Sequence, residues 1–240
     1  MSALLTVDGL TKRFGGLTAV DGMSFEVSEG ETVALLGPNG SGKTTVLNMI
    51  SGALDPSAGS IFFDGERIDG DRPHDIANIG ISRTFQLVRI LPSLSLRENV
   101  VAALAFGRAD LWGGEAEREA DRLLGLVGLR SGVRAADLTY LDQKRLEMAR
   151  ALAGRPRLLL LDEWLSGLNP TEMREGIALV RRIVDGGTTV LLVEHIMDAV
   201  RALCSRSVVM KAGTLLAEGP TADVLADAAV IEAYLGDVHA

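Results

Sequence analysis

Hydrophobic and polar positions are arranged differently in three successive parts of the chain. In the N-terminal part, short apolar runs are separated by turn signals at Gly15-Gly16, Glu29-Gly30 and Asp64-Gly65. This arrangement predicts four strands, over residues 4–7, 24–27, 32–36 and 60–63. The third strand runs directly into a glycine-rich loop, and a helix that ends near Gly52 is predicted to follow the loop.

The pattern becomes helical after Gln86. Ser95 and Glu98 have the spacing of a capping box, in which each side chain bonds the other's backbone N–H at the start of a helix. Glycines separate three predicted helices, over residues 97–106, 115–127 and 142–153. We therefore predict one domain, residues 1–240. It consists of a nucleotide-binding α/β core with a β-subdomain, residues 1–87 and 154–240, and an inserted helical subdomain, residues 88–153.

Strands and helices alternate again in the C-terminal part. The strand predicted over residues 157–161 is almost entirely apolar, which is typical of a strand buried on both faces. Asn169 and Pro170 are residue types that favour the N-cap and the first position of a helix. The other predicted elements are a strand over 188–193, a helix over 195–203 and strands over 207–210 and 215–218. This alternation predicts an α/β fold with a mostly parallel sheet covered on both sides.

Composition narrows the classes of function. The chain has 240 residues, with 24 Lys and Arg against 32 Asp and Glu, and this net charge of -8 argues against a long basic surface for nucleic acid. The single cysteine, Cys204, allows no disulfide within the chain and fits a reducing cytoplasm. The longest apolar runs, such as residues 158–161, are far shorter than the roughly 20 residues of a membrane helix. We therefore expect any transport role to require separate membrane subunits.

The glycine-rich loop matches the phosphate-loop pattern G-x-x-x-x-G-K-[ST] in full, with a strand before it and a helix after it. Its glycines allow backbone N–H groups to converge on phosphates, and Lys43 adds a mobile positive charge. The hydroxyl of Thr44 is suited to Mg²⁺. A glycine turn with a surface lysine is the alternative, which pattern and context together disfavour. The predicted nucleotide-binding residues of the loop are Gly37, Pro38, Asn39, Gly40, Ser41, Gly42, Lys43, Thr44 and Thr45.

Two acidic residues, Asp162 and Glu163, follow the apolar run of residues 158–161. In a parallel sheet the carboxyl ends of the strands form the ligand-binding edge. Asp162 is therefore predicted to hold Mg²⁺, and Glu163 to orient and polarise an attacking water. The alternative is an ordinary solvated strand end, which the phosphate loop elsewhere in the chain makes the weaker interpretation.

With these motifs in this order, the sequence resembles the ATP-binding subunits of ABC transporters along nearly its whole length. The resemblance implies a P-loop NTPase (RecA-like) core with an N-terminal antiparallel β-subdomain, and hydrolysis of ATP with Mg²⁺ coupled to transport. It also implies that Phe14 stacks on adenine, that the amide of Gln86 contacts Mg²⁺ and the attacking water, and that His195 contacts the γ-phosphate. Lys43 and Glu163 complete the implied catalytic set. Singly, each has a plainer alternative: core packing for Phe14, a surface amide for Gln86 and a helix cap for His195.

The same resemblance implies partners and a location. These are a second ATPase subunit in a homodimer or paralogous heterodimer, integral membrane permeases, and indirectly a solute-binding protein, with the chain peripheral on the cytoplasmic face of the plasma membrane. Importers of branched-chain amino acids and related amides are the most similar subfamily, on four stretches: residues 10–17, 81–86, 167–170 and 231–236. Three alternatives remain: an exporter ATPase such as that of lipopolysaccharide, a soluble ABC ATPase of DNA repair or translation, and a P-loop kinase or GTPase.

The chain departs from the family at the signature, which usually reads Leu-Ser-Gly-Gly-Gln and completes the ATP site of the partner subunit. The matching residues are Leu138, Thr139, Tyr140, Leu141, Asp142 and Gln143. Leucine adds bulk where glycine allows close approach, and an aspartate repels phosphate unless it points away or pairs with a cation. We therefore expect the site lent to the partner to be weakened. Trp164 also departs from the family, which has proline there, and we expect it to pack at the dimer interface.

Overall fold

The computed structural model describes residues 3–84, 88–130 and 134–235. Its strands are Ala3–Phe14 (β1), Leu17–Ser28 (β2), Thr32–Leu36 (β3), Ala58–Phe63 (β4), Glu66–Arg67 (β5), Ile81–Arg83 (β6), Leu158–Asp162 (β7), Thr189–Val193 (β8), Arg206–Lys211 (β9) and Thr214–Pro220 (β10). Its α-helices are Lys43–Ile50 (α1), Pro73–Ile79 (α2), Leu96–Phe106 (α3), Gly113–Val127 (α4), Tyr140–Ala153 (α5), Pro170–Asp185 (α6), Met197–Leu203 (α7), Thr221–Val224 (α8) and Ala228–Leu235 (α9).

The central sheet has six strands in the order β10-β9-β3-β8-β7-β6. All neighbouring strands are parallel except the edge pair β10 and β9, which is antiparallel. Strands β3, β7 and β8 are buried along their whole length, as expected for parallel strands that carry other layers on both faces. The predicted α/β fold with a mostly parallel sheet is confirmed.

A second, antiparallel sheet has the order β2-β1-β4-β5. Its strands are longer than the sequence pattern indicates, because register shifts between β1 and β2 let both bend and remain paired from Ala3 to Phe14. Leu158 and Leu160 belong to the hydrophobic cluster that includes this sheet and helix α1. The antiparallel N-terminal subdomain is therefore confirmed as a layer on one face of the central sheet.

Helices α3, α4 and α5 pack on one another and against the other face of the central sheet. The predicted capping box is present: Ser95 Oγ accepts from the N–H of Glu98, and the Glu98 carboxylate accepts from the N–H of Ser95. Leu159 and Leu161 share one hydrophobic cluster with these helices, because successive side chains of a strand point to opposite faces. The inserted helices thus continue the core, and the boundaries at residues 88 and 153 stay a prediction.

The helix predicted to start at His195 starts two residues later, at Met197. The backbone of Ile196 is extended, with φ of -90° and ψ of 98°, so His195 lies in a loop after β8. Five short elements, α2, β5, β6, α8 and α9, were not predicted, because each is too short to show a clear hydrophobic period. No helix in the described ranges is both long and apolar enough to cross a membrane.

Candidate active site

Three parallel strands bring the predicted catalytic segments to one edge of the sheet. Val193 of β8 is paired with Leu35 of β3 on one side and with Asp162 of β7 on the other. The segments that follow these strands therefore leave the sheet side by side. The phosphate loop, the acidic pair and the loop that carries His195 thus lie at a common carboxyl edge, where ligands bind in such sheets.

The phosphate loop has a backbone that only glycine accommodates at two positions. Gly37 has φ of 143°, and a Cβ there would lie 2.2 Å from the carbonyl oxygen of Met210. Gly42 has φ of 105°, and its Cβ would lie 2.6 Å from the carbonyl oxygen of Ala19. The loop is therefore held tightly between β9 and β2.

Lys43 begins helix α1 and is buried, with 8% of its surface exposed. Its Nζ donates to the carbonyl oxygens of Gly37 at 2.7 Å and Pro38 at 2.9 Å. The N-terminus of α1 adds positive potential beside it. These residues border a cavity of about 280 Å³ whose lining is Ala19, Asn39, Gly40, Gly42, Lys43, Thr44, Thr45 and Glu163. Glu163, which belongs to the predicted acidic pair, therefore lies beside the phosphate loop.

Asp162 is buried and forms an ion pair that the sequence reasoning missed. Its Oδ2 accepts from Arg83 at 2.8 Å, and the same guanidinium donates to Asn48 Oδ1 at 2.7 Å and Ser51 Oγ at 3.0 Å. Arg83 therefore joins β6, α1 and β7 behind the phosphate loop. Little in the sequence signals this pair, because Arg83 ends a three-residue strand of mixed polarity and its partner lies 79 positions away.

The residues at this edge fit Mg²⁺. Asp162 Oδ1 and Ser41 Oγ are buried and have no hydrogen-bond partner among the described atoms. Mg²⁺ is usually held by one or two protein oxygen ligands together with substrate phosphates and water. A buried carboxylate oxygen without a partner, next to a loop lined by hydroxyl groups, supplies the donor type that this ion requires.

Glu163 lies in an uncommon backbone conformation. Its φ is 49°, in the left-handed region that few non-glycine residues adopt, and its N–H donates to the carbonyl oxygen of Val193 at 2.9 Å. Such a conformation persists only where surrounding structure fixes it, and it is often found at functional sites. The bond to β8 fixes the acidic residue beside the cavity rather than leaving it as a flexible strand end.

Glu194 is a second buried acid of this region that the sequence reasoning did not single out. Its Oε1 accepts from the N–H of Leu165 at 2.7 Å. Its pKa is raised to about 7, mainly by burial and to a lesser extent by the negative charge of Glu163. Hydrogen bonds from the backbone N–H groups of Leu165 and His195 and the positive charge of Lys144 act against this rise and lower the pKa. The signal in the sequence was an acidic residue directly after strand β8, which is apolar apart from its first residue.

Replacing Glu194 with glutamine tests this raised pKa. The native pKa of about 7 lies above the ordinary glutamate pKa of 4.5, so the native state holds a proton that the unfolded chain releases between these two pH values. Wild-type stability should therefore fall as pH rises through this window, while Glu194→Gln should not show this loss. The variant should gain about 3 kcal/mol over wild type above pH 7, read from urea unfolding across the pH range. Exposed Glu232→Gln is the control, and a pH-independent difference for Glu194→Gln would contradict the assignment.

The other predicted site residues are distributed as follows. Phe14 has 48% of its surface exposed at the end of β1, with Lys12 Nζ 5.3 Å from its ring centre, which excludes the core-packing alternative. His195 is exposed in the loop after β8. Gln86 lies outside the described residues. The functional roles of all three stay predictions.

The unusual signature residues are accommodated within the chain. Thr139 caps helix α5 by accepting from the N–H of Asp142. Leu141 is buried, and the Asp142 carboxylate accepts from Arg145 at 3.0 Å. Tyr140 is exposed and packs against Gly167, where a Cβ would lie 3.1 Å from its ring. Arg145 therefore pairs with the negative charge of Asp142, which would repel phosphate if it were unpaired. The weakening of a partner's site stays a prediction.

Trp164 does not lie at an exposed surface, so the expectation that it packs at a dimer interface is wrong. Its side chain is 0% exposed, and its indole N–H donates to the carbonyl oxygen of Lys144 at 3.3 Å. The ring also lies close to Gly176 of α6. The indole ring therefore fills the space between α5 and α6, and Gly176, which has no side chain, leaves room for it.

Comparison with known proteins agrees with this arrangement. The family model described as ABC transporter matches residues 20–166, and the model described as branched-chain amino acid ATP-binding cassette transporter matches residues 214–240. The high-affinity branched-chain amino acid transport ATP-binding protein BraF of Pseudomonas aeruginosa is 40% identical over 253 residues, covering 98% of both chains.

Solved structures give the same result. An ATP-binding cassette of an ABC transporter in its ADP conformation matches with a TM-score of 0.90 at 29% identity, covering 98% of this chain and 100% of its own. A dimeric bacterial ABC transporter cassette matches with a TM-score of 0.81 at 27% identity, covering 90% of this chain and 98% of its own. The chain therefore belongs to the ATP-binding cassette family of ABC transporters, whose members hydrolyse ATP.

Proposed function

We propose that this chain is the ATPase subunit of an importer of branched-chain amino acids or related amides. The observation that carries the solute class is the match of residues 214–240 to the branched-chain transporter family. This segment lies outside the nucleotide motifs, so it adds information that those motifs, which are shared by all transporters of this type, do not contain. The similarity to BraF over 98% of the chain supports the same class.

Within the site, each residue has a proposed role. Lys43 and the N-terminus of α1 bind the phosphates of ATP by charge and backbone N–H groups, and the exposed ring of Phe14 stacks on adenine. Asp162, Thr44 and Gln86 hold Mg²⁺, which when bound neutralises charge on the transferred phosphoryl group. Glu163 orients and polarises the attacking water, and His195 contacts the γ-phosphate.

The proposed partners follow from the same family. A second ATPase subunit, identical or paralogous, supplies its signature to this chain's phosphate loop, and the dimeric cassette that the chain resembles supports such pairing. Permease subunits dock on the region after Gln86, and a solute-binding protein delivers the solute to them. The chain then lies on the cytoplasmic face of the plasma membrane without contacting nucleic acid.

The test is ATP turnover in proteoliposomes that contain this chain, its permeases and their binding protein. Leucine, isoleucine or valine, or a short aliphatic amide, should stimulate turnover when the binding protein is present. Vesicles without the binding protein are the control, because coupling requires solute delivery. Stimulation by an unrelated solute alone would contradict the proposed solute class and leave the ATPase assignment intact.

A further inference from the structure

The C-terminal helix α9 brings Tyr234 to the first residue of the phosphate loop. The backbone N–H of Gly37 donates to the phenol oxygen of Tyr234 at 2.7 Å, across 197 positions of sequence. Tyr234 also packs against the hydrophobic cluster under the central sheet. Burial raises the pKa of its hydroxyl, so this group stays neutral at physiological pH. A neutral phenol oxygen is a constant acceptor for the loop.

Gly37 connects this tail contact to Lys43. Its carbonyl oxygen accepts from Lys43 Nζ at 2.7 Å, while its N–H donates to Tyr234. The backbone of Gly37 also lies so close to Met210 that no Cβ fits between them. The tail hydroxyl, the loop entrance and the proposed phosphate-binding cation therefore form one chain of contacts.

The plainer explanation is that Tyr234 only satisfies a half-buried N–H. Two observations argue for a larger role. Leu36 is the last residue of β3 and is still paired with Val209 of β9, whereas Gly37 is the first residue beyond the strand. The sheet therefore fixes the backbone up to Leu36, and the hydrogen bond to Tyr234 fixes it one residue further, at Gly37. In addition, the acceptor comes from residues 214–240, the segment matched by the branched-chain family, and none of the proposed ATP-binding or catalytic roles falls in this segment.

We propose that Tyr234 is a positioning residue for the phosphate loop, so that docking of helix α9 sets the affinity of the loop for nucleotide. This inference rests on the proposed function, because it assumes that the Lys43 loop binds ATP. Tyr234 acts through Gly37, whose two hydrogen bonds transmit the position of the tail to Lys43.

The test is Tyr234→Phe in the full chain, which removes one oxygen and keeps the ring that packs in the core. The dissociation constant for a fluorescent ATP analogue with Mg²⁺ should rise about 3- to 10-fold, because the Gly37 N–H loses its acceptor. Amide hydrogen exchange of a peptide spanning residues 36–44 should become faster in the same variant. Ile231→Ala, which removes an exposed side chain of the same helix, should leave both measurements unchanged.

The outcomes separate three cases. Weaker binding with faster loop exchange in Tyr234→Phe alone supports the inference. A lower melting temperature with nucleotide affinity within about twofold of wild type would show that Tyr234 is only structural, and would overturn the inference. A wild-type chain that binds no ATP analogue would overturn the proposed function and this inference together.

Discussion

Lys43→Ala should reduce ATP turnover to background, a loss of at least about 100-fold. Lys43 is buried at the start of α1, and its Nζ lies against two carbonyl oxygens of the phosphate loop. Removing it takes away the one side-chain cation of the loop and leaves those carbonyl groups facing the phosphates. Both effects oppose binding of ATP and stabilisation of the charge that develops during hydrolysis. The measurement is steady-state phosphate release by the assembled complex.

The matched control is Lys211→Ala, which removes an exposed lysine at the end of β9 and should keep near-wild-type turnover. Far-ultraviolet circular dichroism should show that both variants are folded, since alanine is compatible with the first turn of helix α1 and with the exposed end of strand β9. Near-wild-type hydrolysis by a folded Lys43→Ala chain would contradict the assignment of this loop as the phosphate-binding site.

The parts of the site that local pattern determines could be predicted from the sequence. The phosphate loop is specified by glycines, two of which have no room for a Cβ, and the acidic pair follows the apolar run of residues 158–161. The closeness of the phosphate loop and the acidic pair was also predictable, because the carboxyl ends of parallel strands lie at the same edge of a sheet. None of these inferences requires knowing which residues touch across the chain.

Contacts between distant residues could not be predicted in this way. Arg83 pairs with Asp162 across 79 positions, and Tyr234 accepts from Gly37 across 197. The prediction that Trp164 lies at an interface was wrong for the same reason, because its burial depends on the space that Gly176 leaves between two helices. Residue type gives the polarity of such groups, but only packing determines their partners.

Glu163→Gln should keep ATP affinity and lower turnover about 100-fold or more, because a neutral amide polarises the attacking water far less than a carboxylate does. Glutamine has nearly the same shape, so the backbone at φ of 49° and its bond to Val193 should remain. Exposed Glu66→Gln is the matched control and should retain full turnover. The paired readouts are the dissociation constant for ATP and single-turnover hydrolysis.

In an assembled heterodimer, comparison of this variant with the equivalent change in the partner tests whether the two ATP sites are unequal. If the partner carries the usual signature, it completes the site of Lys43 and Glu163, whereas the site completed by Leu141 and Asp142 contributes less. Glu163→Gln should then remove most turnover, and the equivalent change in the partner should remove little. Retention of most activity by Glu163→Gln would contradict this asymmetry. The pairing of Asp142 with Arg145 bears on the result, because a neutralised aspartate repels phosphate less than an isolated one.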